Sequence, residues 1–329
     1  MRVGIITLYN AFNFGAFLQA YAMQETLRTL GLTPEFIRIA SPRHNCKRLR
    51  TILRRHPKAL GFSLAQALIQ TCSLRRYLTI SGHSSRVQLN RYDVVVVGSD
   101  EIWNVTNNGF SHVPEFFGAN IDAKRVIAYA PSCGEASITE VQRHPAAMTG
   151  LNALHAISGR DDNTVEIVKA LTGRQAPRVL DPTFLTDLPK HSQPEVHYKY
   201  ILVYTYGFSA EQIGKTKAFA ASVGKPLVSA GFHHGWCDRS ILVSPFGFLG
   251  LVRNADYVIT NTFHGTVFSI LCHRQFGAFA TDRYKVRTLL SMLGLNGRNL
   301  DDVSSLEKVL LSPIDYSMVD GVVEKEKQA

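Results

Sequence analysis

Acidic residues are missing from one long stretch of this chain. Between Phe36 and Tyr92 there is no aspartate or glutamate, while twelve lysines and arginines fall there, from Arg38 and Arg43 through Arg54, Arg55 and Lys58 to Arg75, Arg76 and Arg91. The 329-residue chain carries a net charge of +10, so the basicity belongs to that segment and the remainder is slightly acidic. Cysteine is scarce. There are five (Cys46, Cys72, Cys133, Cys237, Cys272), an odd number with no Cys-x-x-Cys pair, which argues against a disulfide framework and a structural zinc site. His233 and His234 with Cys237 and Asp238 are the nearest thing to a ligand cluster, but nothing helical or closed supports it, and no metal is expected. No apolar run approaches the roughly 20 residues that span a bilayer. The strand-like start, Met1 to Leu8, is too short for a signal peptide. The expected location is cytoplasmic, with peripheral attachment at the inner membrane face left open. A Gly-x-Gly-x-x-Gly fingerprint is absent, so NAD is not indicated. An Asp-x-Asp sugar-nucleotide motif is absent too; Asp161 and Asp162 are adjacent rather than spaced.

The richest stretch runs from Ala255 to Leu271. Tyr257, Val258 and Ile259 form a short apolar run of the buried-strand kind. Thr260, Asn261 and Thr262 favour a helix cap over a continued strand. Val267, Phe268, Ile270 and Leu271 then recur at helical spacing. A strand therefore runs through a turn into a helix, whose free N–H groups and dipole favour an anion. Gly265 lets a ligand come close to the backbone. His264 can donate a hydrogen bond or carry a proton near neutral pH; it can equally cap the helix or fill the core.

The order of elements is that of an α/β protein. Arg2 to Leu8 reads as a strand, Tyr9 to Gly15 as a turn, Ala16 to Leu30 as a helix and Glu35 to Ile39 as a second strand. The basic segment follows, with Ser63 to Cys72 as an apolar helix inside it. Its charges form either a solvated face or a surface for an anionic partner. An anionic membrane or acidic glycan fits better than nucleic acid, for which no motif is present. Four valines, Val94 to Val97, predict a strand buried on both faces, ending in Gly98-Ser99-Asp100-Glu101. Val126 to Ala130 and His155 to Ser158 are further strands. Arg160 sits at the mouth of the helix holding Val165, Ile167, Val168 and Leu171.

Asp100 and Glu101 suit a general base or hydroxyl binding, and Trp103 can stack on a sugar ring; Asp100 can also simply cap a helix. Arg160 can grip a carboxylate or phosphate in a planar fork, or pair with Asp161 or Asp162. A polar, proline-containing linker is expected near residues 186–198. The alternation restarts beyond it, with strands at Tyr200 to Tyr204, Pro226 to Ala230 and Phe276 to Phe279. Helices are expected at Ala210 to Val223, Ser244 to Asn254, Val286 to Leu293 and Asp301 to Leu311. Two Rossmann-like domains facing each other across a cleft follow, residues 1–188 and 189–329, with a basic insertion at about 41–91.

Four stretches together resemble the polysaccharide pyruvyl transferase family. They are Asn13-Phe14-Gly15-Ala16 with Leu18 to Ala22, Val97 to Asn104, Leu180-Asp181-Pro182-Thr183, and Thr262 to Thr266 with Phe268-Ser269. The stretch from Val286-Arg287 to Leu295, with Arg298, also fits. The resemblance covers nearly the whole chain except the basic segment. It implies a GT-B arrangement, phosphoenolpyruvate as donor, and a sugar of a polysaccharide or lipid-linked oligosaccharide as acceptor. A pyruvate ketal forms and phosphate leaves, with no cofactor. His264, Asp100 and Glu101 become the catalytic candidates. Thr262, Gly265, Thr266, Arg160 and Arg287 become the donor-binding set, with the donor phosphate expected on the N–H groups around Gly265 and Thr266. Asn13, Gly15, Ser99 and Trp103 become the acceptor side. Two other readings remain open: a GT-B glycosyltransferase using a nucleotide sugar, and a catalytically silent glycan-binding protein.

Overall fold

The structure, a computed structural model, describes residues 1–39, 57–81, 92–109, 113–189, 196–281, 283–301 and 303–328. Two five-stranded sheets organise it. The first contains β1 (Arg2–Ile6), β2 (Thr33–Phe36), β3 (Val94–Val97), β4 (Val126–Ala128) and β5 (Ala156–Ile157) in the order β2-β1-β3-β4-β5. The second contains β6 (Ile201–Tyr204), β7 (Leu227–Ala230), β8 (Arg239–Ile241), β9 (Tyr257–Thr260) and β10 (Gln275–Ala278) in the order β10-β9-β6-β7-β8. Every pairing is parallel. That is why the central strands read as unbroken apolar runs: helices cover both faces, and no alternation is needed. Two doubly wound sheets are the expected α/β class.

The helices that matter here are α1 (Phe14–Thr29), α2 (Pro57–Tyr77), α3 (Ile138–Gln142), α4 (Pro145–Ala153), α5 (Asp162–Thr172), α6 (Ala210–Val223), α7 (Pro245–Asn254), α8 (Phe263–Leu271), α9 (Tyr284–Met292), α10 (Glu307–Leu310) and α11 (Tyr316–Lys327). Two of the expected helices need correction. The helix expected over Ser63 to Cys72 is longer at both ends. The one expected over Asp301 to Leu311 shrinks to the single turn of α10. Strand β8 and helix α11 were not foreseen. α11 carries only Val319 and Val323 as buried apolar anchors, too few for a clear helical stripe. Residues 40–56 and 82–91 of the basic segment and 190–195 of the expected linker lie outside the described residues.

The two sheets are joined by packing as well as by chain. One apolar core runs from Val3 and Ile5 through Phe14 and Phe17 to Tyr200, Phe248 and Phe268. Phe14, the first residue of α1, stacks on Tyr204 and Phe248, with ring centroids 5.8 and 4.7 Å away. Its N–H donates to the Tyr204 hydroxyl (3.2 Å). Gly231, at φ +70°, makes room for that ring: a Cβ there would meet Phe14 Cζ at 2.4 Å. Small polar interfaces between domains permit hinging, whereas a large apolar one couples them. The start of α1 is therefore fixed against both sheets, and so is everything attached to it.

Candidate active site

Open parallel sheets bind ligands where neighbouring strands run to opposite sides, outside their carboxyl ends. Here those points are β1/β3 in the first sheet and β6/β9 in the second. The loops leaving β1, β3 and β9 carry Gly15, Ser99-Asp100 and Thr262-His264, and they meet. His264 packs directly over Gly15, where a Cβ would lie 2.1 Å from the imidazole Nδ1. Asp100 adopts φ +72°, a conformation few non-glycine residues hold, and such strain gathers at functional sites.

Asp181 is the hub of this meeting. Its Oδ2 accepts from Arg160 Nη1 (2.9 Å) and from Ser99 Oγ (3.1 Å), and lies 3.8 Å from His264 Nε2. Its Oδ1 accepts from the N–H and hydroxyl of Thr183 (3.1 and 2.9 Å). Arg160 Nη2 lies 3.7 Å from Asp100 Oδ1, and the guanidinium sits 4.4 Å above the centre of the Phe263 ring, a cation–π contact from the other sheet's side. Asp161 does not pair with Arg160. It caps α5 by accepting from Thr164 N and binds the Ser132 hydroxyl, while Asp162 pairs with Arg178. Lys285, from α9, bridges to Glu101 Oε2 (3.0 Å) and reaches over the same Phe263 ring.

Three buried nitrogens here have no hydrogen-bond partner among the described residues: Arg160 Nε, Arg160 Nη2 and His264 Nε2. Buried donors are almost always satisfied, so such a cluster marks a place for a ligand or water. A cavity of about 20 Å³ lies beside Arg160, lined also by Asp181, Phe184, Phe263, Lys285 and Met292 among others. That is room for about one water; a larger ligand has to displace side chains such as Lys285.

Electrostatics sets the protonation states. Burial is the strongest influence on His264 and lowers its pKa; Asp181 and Asp100 oppose it, and Arg160 and Lys285 reinforce it. The imidazole is neutral at pH 7. Burial also works against the Asp181 carboxylate, but His264, Arg160 and the Thr183 hydrogen bonds outweigh it and its pKa is lowered. With the imidazole neutral, Arg160 is the cation that holds the Asp181 charge. Arg160 in turn stays firmly protonated, because Asp181, Asp100 and Asp161 overcome its burial.

The structure brings together His264, Asp100, Glu101, Arg160, Ser99 and Gly15. Other expected residues are differently employed. Trp103 is 1% exposed and its indole N–H donates to the Phe116 carbonyl (2.6 Å), so its ring is not offered to a sugar. Asn13 caps α1, accepting from Ala16 N (2.7 Å). Arg287 donates to the carbonyls of Ala280 and Thr281 and does not line the Arg160 cavity. Thr262 caps α8: its hydroxyl accepts from Gly265 N (3.0 Å) and its carbonyl from Thr266 N (3.1 Å). The two N–H groups expected to face an anion are thus satisfied internally. Among the described residues those of Phe263 and His264, the first two residues of α8, have no acceptor. Gly265 is still required, because a Cβ there would meet Thr260 Oγ1 at 2.3 Å. The residues not given a role in advance are Asp181, Phe263 and Lys285. Asp181 lay within a recognisable stretch, but nothing local marked it as the hub of contacts from three separate chain segments.

Elsewhere, among the described residues, no group of three or more histidines, cysteines or acids is placed to hold a metal ion. Burial pushes the Cys237 thiol up to about 12, which suits a packed side chain. No helix among the described residues is long and apolar enough to cross a membrane.

Comparison with known proteins agrees with this architecture. The family described as polysaccharide pyruvyl transferase matches residues 13–283. Curated protein sequences give no match. Among solved structures, the chain resembles a UDP-GlcNAc 2-epimerase from Neisseria meningitidis, solved bound to UDP-GlcNAc, at 10% identity and TM-score 0.50, over 100% of this chain and 93% of that one. It also resembles an uncharacterised protein from Klebsiella pneumoniae subsp. pneumoniae at 13% identity and TM-score 0.50, over 89% of each chain. The spinosyn rhamnosyltransferase SpnG aligns at 11% identity and TM-score 0.47, over 100% of this chain and 96% of that one. The arrangement of the two sheets is the GT-B fold.

Proposed function

Because this chain belongs to the polysaccharide pyruvyl transferase family, we propose that it transfers the pyruvyl group of phosphoenolpyruvate to two hydroxyls of one sugar in a polysaccharide or lipid-linked precursor, forming a pyruvate ketal and releasing phosphate. What supports this most is the trio of unpartnered buried nitrogens on Arg160 and His264, next to the free N–H groups of Phe263 and His264. A small donor with a carboxylate and a phosphate supplies acceptors for all of them. A buried cation built into a carboxylate network is held in place before such a ligand arrives, and the reorganisation left to binding is the displacement of side chains such as Lys285.

In this reading the donor carboxylate takes the fork of Arg160, which Asp181 orients. The phosphate lies at the start of α8, on the N–H groups of Phe263 and His264, and draws Lys285 away from Glu101. The methylene carbon of the donor accepts a proton, leaving C2 electron-poor, and Asp100 lies where a negative charge stabilises it. One acceptor hydroxyl adds to C2 as Asp100 or Glu101 takes its proton. The second hydroxyl then forms its bond to C2 as the C2–O bond to phosphate breaks, and its proton leaves with the phosphate. Two C–O bonds form, one C–O bond breaks, and the methylene becomes a methyl group. His264 serves as the proton donor to the methylene or as the phosphate ligand. This addition and displacement uses no metal or further cofactor.

The test is phosphate release from phosphoenolpyruvate in the presence of a panel of oligosaccharide acceptors, with Arg160→Gln alongside. Acceptor-dependent release that Arg160→Gln abolishes is the expected result. Transfer of a sugar from a nucleotide donor, with phosphoenolpyruvate inert, overturns the proposal.

A further inference from the structure

Helix α2 has an unusual polarity along its middle. The side it turns to the protein buries Ala59 and Leu74, but between them it also buries Ser63, Gln66, Gln70 and Ser73, and the Ser63 hydroxyl and Gln70 Oε1 find no partner among the described residues. The side it turns outward carries Leu64, 50% exposed, and Leu68, 65% exposed, followed by Cys72, Arg75 and Arg76. Burying polar groups while leaving leucines in water is the reverse of what folding favours. Left free, such a helix would gain by rolling about its axis.

It is not free to roll. Gln66 Nε2 donates to the Val243 carbonyl (2.7 Å), and Val243 N donates to Gln66 Oε1 (3.0 Å). At the other end the Tyr77 carbonyl accepts from Gln24 of α1 (3.0 Å). Both sheets' domains thus hold α2 in this orientation. Leu64, Leu68 and Cys72 stand at i, i+4, i+8 and make one straight stripe about 12 Å long. Leu242, adjacent to the pinned Val243, is also exposed.

We propose that this face of α2 lies on an anionic lipid bilayer, with Leu64 and Leu68 in the acyl boundary and Arg75 and Arg76 at the headgroups. Charge selects this occupant. At the end of the stripe Arg75 and Arg76 are exposed, and the sequence from Phe36 to Tyr92 holds no acid to offset them, so a negative partner surface is favoured. A second copy of the chain meets the same argument in reverse: a twofold interface would set the basic face against itself. An apolar stripe with cations at its flank is the pattern of a helix lying in the membrane interface. The inference goes beyond the reaction proposed above and does not depend on it.

Co-sedimentation of the full chain tests it, with vesicles of equal parts phosphatidylcholine and phosphatidylglycerol, and with pure phosphatidylcholine. Binding to the mixed vesicles alone, at low salt, is expected. Arg75→Gln with Arg76→Gln should weaken it by about 5-fold per arginine removed. Leu64→Gln with Leu68→Gln should weaken it by roughly tenfold or more. The far-ultraviolet circular dichroism spectrum and Tm of the same variants should not change and report that they are folded. Absence of binding to the mixed vesicles overturns the proposal. So does binding that Leu64→Gln with Leu68→Gln leaves intact, or a lipid-free dimer that this pair of substitutions dissolves.

Discussion

His264 and Gly15 belong to different sheets, and the imidazole packs so tightly on the glycine that a Cβ at position 15 would lie 2.1 Å from Nδ1. Gly15 sits in the first turn of α1, whose start is locked into the apolar core by Phe14. Neither partner can retreat easily. Gly15→Ala improves intrinsic helix propensity by about 1 kcal/mol, so any loss comes from the displaced ring. The expected outcome is a fall in kcat/KM of roughly a hundredfold, as for a catalytic group moved by about an ångström, with the circular dichroism spectrum unchanged. Steady-state phosphate release measures it.

Asp181 and Arg160 hold each other in the absence of ligand. Removing one partner of a buried pair leaves the other uncompensated, at a cost of about 3–5 kcal/mol. Asp181→Asn and Arg160→Gln should each lower the unfolding free energy from urea titration by that order. The double variant should be less destabilised than the sum, because neither charge is then stranded. Additive losses would show that the two do not act as a unit.

Donor binding should take up a proton. His264 has its pKa lowered chiefly by burial and is neutral at pH 7 in the free protein. A multiply charged anion beside it favours the imidazolium. Calorimetry of phosphoenolpyruvate binding near pH 7 in buffers of different ionisation enthalpy should show proton uptake that His264→Gln abolishes.

The same depressed values govern stability. The unfolded chain protonates His264 near its ordinary 6.5 and Asp181 near 3.8, while the folded chain resists both. Their contribution is complete above those values. It is lost as pH falls from each ordinary value through the lowered folded one. Thermal scans should therefore show Tm falling first below pH 6.5, a step missing in His264→Gln, and again below pH 3.8.

Trp103 is a structural residue here, despite its place beside Asp100 and Glu101. Trp103→Phe forfeits the hydrogen bond to the Phe116 carbonyl and should cost about 1–3 kcal/mol by leaving that carbonyl unpaired. Acceptor KM should stay within about twofold, since a buried ring offers no stacking surface.

Much of this was legible from local pattern. The valine run of β3, the cap and helix at Thr262 to Leu271, and the alternation of strands and helices are local, and local signals survive in sequence. His264, Asp100 and Arg160 stood at strand ends, where parallel sheets place their sites, and the fold brings them together. What was not legible depends on long-range packing. Trp103 looked available to a sugar because it follows the candidates Asp100 and Glu101, but only the fold shows its ring buried and its N–H bound to the Phe116 carbonyl. The N–H groups of Gly265 and Thr266 looked free until Thr262 was seen to cap both. Asp181 became central only when the segments of Ser99, Arg160 and His264 converged on it. The apolar residues of α2 were visible, but not that the fold turns Leu64 and Leu68 outward.

The most direct test of the central claim is calorimetric titration with phosphoenolpyruvate and, separately, with uridine and guanosine sugar nucleotides, on the parent chain and on Arg160→Gln. The account predicts saturable binding of phosphoenolpyruvate that Arg160→Gln abolishes, and none of the nucleotides. Saturable binding of a sugar nucleotide, with phosphoenolpyruvate giving no heat, would contradict it and leave the fold serving a glycosyl donor instead.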